Sequence, residues 1–323
     1  MKSDIQEHET WQVLDSTKIQ SYMRCPRKFF YEYVLGWRSE VPSIHLVFGS
    51  SWHLAMEVLH DEGYTAEACA KGYLAAETEY RKSFPPEWDE GNKPKTMANL
   101  LRALPQYCER YAEDDFEVLH IEIAGSVAVA EGKLLHFKTD TICRNQQGQV
   151  FSLEHKSGGR FSTMWLNQWR QKMQIGVYSH VLYCMFDPQE VYGVIINGAF
   201  FANEPKRKLN GELYTNARDN EFHRVPSRRS LQAMEGWLVE VLALYNRILA
   251  DYDKLAEEDD QQNIMTSFQR NTESCTDYGG CPYLDVCSSW NNPLLHIEDP
   301  PVGMHVDFWD PRKHESVREV VEL

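Results

Sequence analysis

The chain has 323 residues, 42% of them hydrophobic, a net charge of −15 and a pI near 5.3. That length and composition allow a sizeable core in one large domain or two small ones, whereas the acidic balance argues against a broad basic DNA-binding face, because neutralising phosphates takes Lys and Arg. No run of about 18 apolar residues occurs, so no membrane span is expected, and the polar start MKSDIQEHET is unlike a secretory signal, which predicts a cytoplasmic protein.

Ser16 reads as the N-cap of a short helix through Tyr22, and Pro26 suits the first turn of a second one carrying Phe29, Phe30, Tyr33 and Val34. Apolar spacing predicts a helix over 49–60, with Trp52, Met56 and Leu59 on one side, and another over 65–82. SFPPEWDEGNKPK (83–95) reads as a loop, followed by a helix over 96–112. The texture then changes. VLHIEIAGSVAVA, LLHFKTDTICR and QVFSLEHK read as three successive strands, with NQQGQ as a hairpin turn. A helix over 165–185, a strand VYGVIINGAFFA and a strand within ELYTNARDNEFHRV follow. Ser227 to about Leu255 reads as a long amphipathic helix, with Leu231, Met234, Leu238, Val241 and Tyr245 apolar, and the remainder as irregular. This order predicts an α/β (α+β mixed) fold with a central mixed sheet flanked by helices, as one domain over 1–323. Its helical N-terminal part would span 1–115, its core 116–225, and its C-terminal helix and cysteine segment 226–323.

Glu154 and Lys156 are two apart on a strand and therefore share a face, opposite His155. Pairing across NQQGQ would bring Asp140 beside Glu154. Two carboxylates and an ammonium on one face suit a hard cation such as Mg²⁺, with the lysine near the attacking water and its pKa lowered by burial. Taken alone, Glu154 and Lys156 read rather as an edge-strand salt bridge.

Cys25 stands near one end of the chain, and Cys275, Cys281 and Cys287 form C-x5-C-x5-C near the other. A lone cysteine plus a trio reads as one cluster that clips the two ends together, in iron–sulphur or structural zinc form. Cys69, Cys108, Cys143 and Cys184 read as small buried hydrophobes. Local basic groups are Arg24, Arg27 and Lys28, then Lys206, Arg207 and Lys208, then Arg224, Arg228 and Arg229; the acidic run 251–260 reads as a solvated face. Trp165 and Trp169 could stack bases but read rather as helix packing.

These motifs, in this order, resemble the RecB-like branch of the PD-(D/E)xK nucleases over nearly the whole chain. The carriers are Ser16 to Tyr33 around Cys25, GSSWH (49–53), FKTD ending at Asp140, LEHK holding Glu154 and Lys156, and Gln174 with Tyr178 as Q-x-x-x-Y on one helical face. The resemblance implies a restriction-endonuclease-like core. It implies metal ligation by His53, Asp140, Glu154 and the His155 carbonyl, catalysis assisted by Lys156, and positioning of the substrate by Gln174 and Tyr178. It also implies a [4Fe–4S] staple on the four cysteines, as in AddB-type helicase–nuclease subunits and CRISPR-adaptation exonucleases, in preference to Zn²⁺. Two positions depart from the pattern: Phe137 stands where the branch has glycine, and the first gap of the cysteine trio is five residues rather than two.

The implied activity is a Mg²⁺- or Mn²⁺-dependent DNase, an exonuclease on single-stranded DNA or duplex ends in recombination, repair or phage DNA processing. The rivals are a non-catalytic DNA-binding or structural subunit and an RNA-directed nuclease. No G-x-x-x-x-G-K-[ST] occurs, so unwinding would need a helicase or recombination partner, and a homo-oligomeric ring would reconcile the acidic exterior with a basic lumen.

Overall fold

The structure, a computed structural model, describes residues 5–205, 208, 214, 217–258, 264–313 and 317–323. Lys206, Arg207, Glu212, Leu213, Thr215, Asn216, Asp259, Asp260 and the side chain of Tyr278 lie outside the described residues.

Asp15, one residue ahead of the expected cap, accepts from the Lys18 amide at 2.7 Å and opens α1 (Ser16–Arg24). Pro26 begins α2 (Pro26–Phe29), which continues into a π-helical turn, Phe30–Val34, and then β1 (Trp37–Ser39). Thr65 caps α4 (Ala66–Ser83) and Thr96 caps α6 (Met97–Arg110); before them lies α3 (Ile44–Glu62), and between them the short α5 (Asp89–Asn92). The three expected strands are β2 (Glu117–Ala130), β3 (Lys133–Arg144) and β4 (Val150–Gly158).

The helix expected over 165–185 is two helices, α7 (Thr163–Gln168) and α8 (Met173–Met185). Groups distant in sequence bind the carbonyls freed at the break. The Arg229 guanidinium donates to Arg170 O and Lys172 O at 3.3 and 2.9 Å, and Ser227 Oγ donates to Trp169 O at 3.3 Å. Next come β5 (Val191–Phe200) and β6 (Glu221–Ser227), so Ser227 ends a strand; Ser230 instead caps α9 (Leu231–Glu257). The segment expected to be irregular also holds α10 (Leu284–Ser289), β7 (Met304–Val306), which pairs with β1, and β8 (Glu319–Glu322).

The main sheet runs β6-β5-β4-β3-β2-β8, parallel at β4–β5 and β2–β8 and antiparallel elsewhere. The parallel β4–β5 step requires a crossover, which α7 and α8 supply. Alternation along the strands divides the core. Ile142, Val194 and Ile196 pack with α8, α9 and the N-terminal aromatics, while Ala199, Phe201 and Phe222 pack with α3, α4 and α6. No helix among the described residues is long and apolar enough to cross a membrane.

Several side chains expected at the surface are buried or, for Arg224, half-buried. Arg27 donates to Phe268 O, Arg224 forms a bidentate pair with Asp114, and Arg229 holds the helix break, so these three do not line a DNA groove. Within and beside the acidic run, Asp251 accepts from Tyr22 at 2.6 Å, and Glu258 is buried against the hydroxyls of Thr266 and Ser267. Of the four cysteines read as buried, Cys143 is buried, Cys69 and Cys108 are half-buried, and Cys184 is exposed.

Gly125 pairs with Val321 of β8, and a Cβ at this glycine would run into the Val321 carbonyl. Gly125→Val should therefore detach β8 and lower stability by about 1–3 kcal/mol, seen as a lower unfolding midpoint and new proteolytic cleavage in the last residues. Behind the sheet, His60 Nδ1 lies 3.2 Å from Thr141 Oγ1. Burial, and next Arg224, push its pKa from 6.5 down to about 4. Between these values the unfolded chain binds more protons, so this component of stability is lost as pH falls from 6.5 towards 4. Between pH 7 and pH 5 wild type should lose about 2 kcal/mol more than His60→Gln in denaturant titrations; parallel pH profiles would contradict this.

Candidate active site

Three acidic side chains lie side by side on three neighbouring strands. In the β2–β3 ladder Ile121 pairs with Thr141 and Ile123 with Thr139, which sets Glu122 opposite Asp140. In the β3–β4 ladder Thr141 pairs with Leu153, and one further step sets Asp140 beside Glu154. Glu122, Asp140 and Glu154 are 4%, 6% and 1% exposed. Each outer acid has its own lysine: Lys138 Nζ is 2.6 Å from Glu122, and Lys156 Nζ is 2.5 Å from Glu154. The Glu154–Lys156 alternation, the opposite face of His155 and the Asp140–Glu154 adjacency all follow from period-two strand geometry.

Helix α3 brings His53 to the centre of this row. The helix comes close to β4 where Gly49 faces Ser157, and Trp52 is buried among Phe201, Tyr107 and Phe222. His53 Nδ1 then lies 3.2 Å from Asp140 Oδ1, while the His155 amide donates to Asp140 Oδ2 at 2.7 Å. On the far face the His155 ring accepts from Asn197 Nδ2 at 2.8 Å, which fixes this peptide against Asp140. Gln174 and Tyr178 do face the same way on α8: Gln174 Nε2 donates to Tyr178 Oη at 2.9 Å, and Tyr178 donates to Lys138 O at 2.6 Å. Tyr178 thus ties α8 to β3 two residues before Asp140. Phe137, at the glycine position of the pattern, is a buried core residue paired with Gly125. Trp169 is buried, and Trp165 packs edge-on against Phe200, so both serve packing.

Burial by itself would raise the Asp140 carboxyl. The His53 ring and its hydrogen bond, with His155 and Lys156, overcome this and hold it well below the usual carboxylate range. Burial and then the Asp140 charge push Glu154 and Glu122 each up to about 7. Burial opposes the charge on His53, but Asp140 outweighs it and raises the imidazole. Lys156 was expected to be lowered. Burial does lower it, but Glu154 and Asp140 outweigh burial, and the ammonium is held above its ordinary value.

Glu122 was missed in the sequence, although an acid between Ile121 and Ile123 in an apolar strand was a usable signal. Its φ of 52° is rare for a residue with a side chain, and such strain gathers at functional sites. Its carbonyl accepts from the Arg318 amide at 3.1 Å, and Arg318 in turn pairs with Glu57 and Asp61 on α3, each at 2.9 Å.

Among the described residues no three His, Cys, Asp or Glu side chains are already gathered as one ion's ligands. Donor chemistry suited to a hard cation is nevertheless present: Glu154 Oε2 is buried without a hydrogen-bond partner, and on the neighbouring strand Asp140 has His53 Nδ1 at 3.2 Å.

A second feature lies at the chain's two ends. Cys25, Cys275, Cys281 and Cys287 all line one cavity of about 500 Å³, with Arg24, Lys28 and Arg270 among its other walls. The Asn271 amide donates to Cys25 Sγ at 3.4 Å, and Cys281 N donates to Cys275 O at 2.8 Å, so this local backbone holds the cysteines around a shared space. The four thiols share this cavity, with cations nearby, and thiolates are donors suited to soft or borderline metals.

The crystal structure of SSO0001 is similar to this chain at 12% identity, covering 88% of this chain and 89% of that one, with a TM-score of 0.35, a likeness too slight to carry an argument. No curated protein matches. The profile of the PD-(D/E)XK nuclease superfamily matches residues 16–288, a span that contains the acidic row, Lys156, His53 and all four clustered cysteines. The chain belongs to the PD-(D/E)XK nuclease superfamily.

Proposed function

We propose that this protein is a Mg²⁺- or Mn²⁺-dependent deoxyribonuclease of the RecB-like branch, built as a single nuclease domain and acting in the cytoplasm as an exonuclease on single-stranded DNA or duplex ends. The observation that carries the reading is the buried row Glu122–Asp140–Glu154, with an unpartnered carboxylate oxygen and His53 beside it. Members of this superfamily generally hydrolyse phosphodiester bonds, typically with Mg²⁺ or Mn²⁺. The ion would be held by Asp140, Glu154, His53 and the His155 carbonyl, and the chemistry it supplies when bound is Lewis acidity towards the phosphoryl oxygen and the attacking water.

The chain's own groups then have distinct tasks. Asp140 stays ionised because His53 and the His155 amide hold it so. Lys156, whose ammonium Glu154 and Asp140 hold above its ordinary value against burial, would act as a donor and cation that orients water and offsets phosphate charge. Glu122 keeps Lys138 in place next to Asp140. Tyr178 fixes α8 and holds the Gln174 side chain, which would help position the scissile strand. With no nucleotide-binding loop motif in the sequence, a helicase or recombination partner would supply any unwinding, in recombination, repair or phage DNA processing.

Digestion of end-labelled single-stranded DNA with Mn²⁺ by anaerobically purified protein tests this reading. Asp140→Asn and Lys156→Ala should each slow cleavage by about 100-fold or more, and Glu122→Gln by about 10-fold. No digestion by folded wild type would instead favour a non-catalytic subunit, and faster digestion of a matched RNA would move the substrate to RNA.

We also infer that the four cysteines hold a [4Fe–4S] cluster that staples the C-terminal segment to the end of α1. The shared cavity supports this, and so do Arg24, Lys28 and Arg270, whose charge would offset that of a tetrathiolate cluster. The anaerobic protein should be brown, with about four irons per chain, and Cys281→Ser should lose both colour and iron. A colourless protein carrying one zinc would replace the cluster with a zinc staple.

A further inference from the structure

In a chain of net charge −15, basic residues gather beside the candidate active site from three separate elements. Lys156 lies on β4, Lys172 at the break before α8, and Arg24 at the end of α1, which packs against α8. Lys28, on α2, continues the strip, and with Arg24 it lines the cavity of the four cysteines. Lys156 is matched by Glu154, and Lys28 has Glu32 at 3.9 Å. Lys172 has no such match: its ammonium makes no ion pair or hydrogen bond among the described residues and stands 5.6 Å over the Trp169 ring. Burial, then Arg24, then Lys156 lower its pKa, so the charges around it are cations.

The position of Lys172 is built rather than incidental. The buried Arg229 guanidinium donates to the carbonyls of Lys172 and Arg170, and Gly176 N also donates to Lys172 O, at 3.2 Å. Two residues on, Gln174 is tied through Tyr178 to the carbonyl of Lys138. Lys172 is therefore held at the same end of α8 as Gln174, with like charges on either side. Lys172, with no acid of its own among the described residues, feels the repulsion of Arg24 and Lys156, and a polyanion laid along the strip relieves that repulsion.

We propose that Lys172 binds the backbone phosphate next to the scissile one, and that a single DNA strand runs from Lys156 past Lys172 and Arg24 towards Lys28. This assigns a strand path to the nuclease site and rests on the nuclease reading above. A strand on this path would leave the active site towards the cysteine cavity, so the segment that holds the cysteines would border the substrate.

The test is fluorescence anisotropy of a labelled single-stranded oligodeoxynucleotide with the full chain, Ca²⁺ replacing Mg²⁺, over a series of KCl concentrations. Lys172→Ala and Lys172→Gln should weaken binding about 3- to 10-fold at low salt and reduce the slope of log affinity against log salt by about 0.7, the loss of one phosphate contact on a single strand. Lys172→Arg should restore the slope. Lys71→Ala, a surface lysine on α4 paired with Glu62, should keep wild-type values. Unchanged slope and affinity in both the Ala and Gln variants, with wild type binding DNA, would overturn the strand path and leave the nuclease reading standing. A wild type that neither binds nor degrades DNA would overturn both.

Discussion

Three carboxylates set shoulder to shoulder in a protein interior repel one another, and the surrounding structure is arranged around that repulsion. Glu122, Asp140 and Glu154 sit on β2, β3 and β4 with little water to screen them. Asp140, in the middle, is kept charged chiefly by His53, while burial, and next the Asp140 charge, push both neighbours towards neutrality. Lys138 and Lys156 brace the outer pair. Of the row's oxygens, Glu154 Oε2 is buried without a hydrogen-bond partner, and the same crowding of acids explains why Lys156 is held protonated.

Elements far apart in sequence support this row. Helix α3 brings His53, and Tyr178 pins α8 to β3. Near the C-terminus, the Arg318 backbone binds Glu122 while its side chain reaches α3, and β8 closes the edge of β2. The segment before it returns to the first helices. Tyr283 donates to Trp37 O at 2.6 Å, Arg27 to Phe268 O at 3.0 Å and Asn271 to Arg24 O at 2.7 Å. Each of these contacts closes a loop of more than two hundred residues, for which the entropic cost grows only slowly with length. A cluster on the four cysteines would reinforce a closure that hydrogen bonds already make.

What could be read in the sequence was local and periodic. The shared face of Glu154 and Lys156 follows from alternation, the three strands from β-branched runs, and the Gln174–Tyr178 pair from helical spacing. Other features depended on partners distant in the chain. The break between α7 and α8 is set by Arg229 and Ser227, some 57 residues on, so helical periodicity alone joined the two pieces. Burial of Arg27 and Arg229, and the half-burial of Arg224, could not be told from their charge, because each finds its partners in tertiary contacts. Glu122 gains its place in the row only from the β2–β3 register, which sets it opposite Asp140. The edge strand β8 is too short and too charged to announce itself, as suits a strand that must not pair with other chains.

Mn²⁺ binding followed by electron paramagnetic resonance tests directly, without depending on turnover, the proposal that the acidic row holds a divalent ion. Folded wild type should take up Mn²⁺, and the double variant Asp140→Asn, Glu154→Gln should lose that uptake while keeping its fold. Equal uptake by the two proteins, or none by folded wild type, would contradict the account.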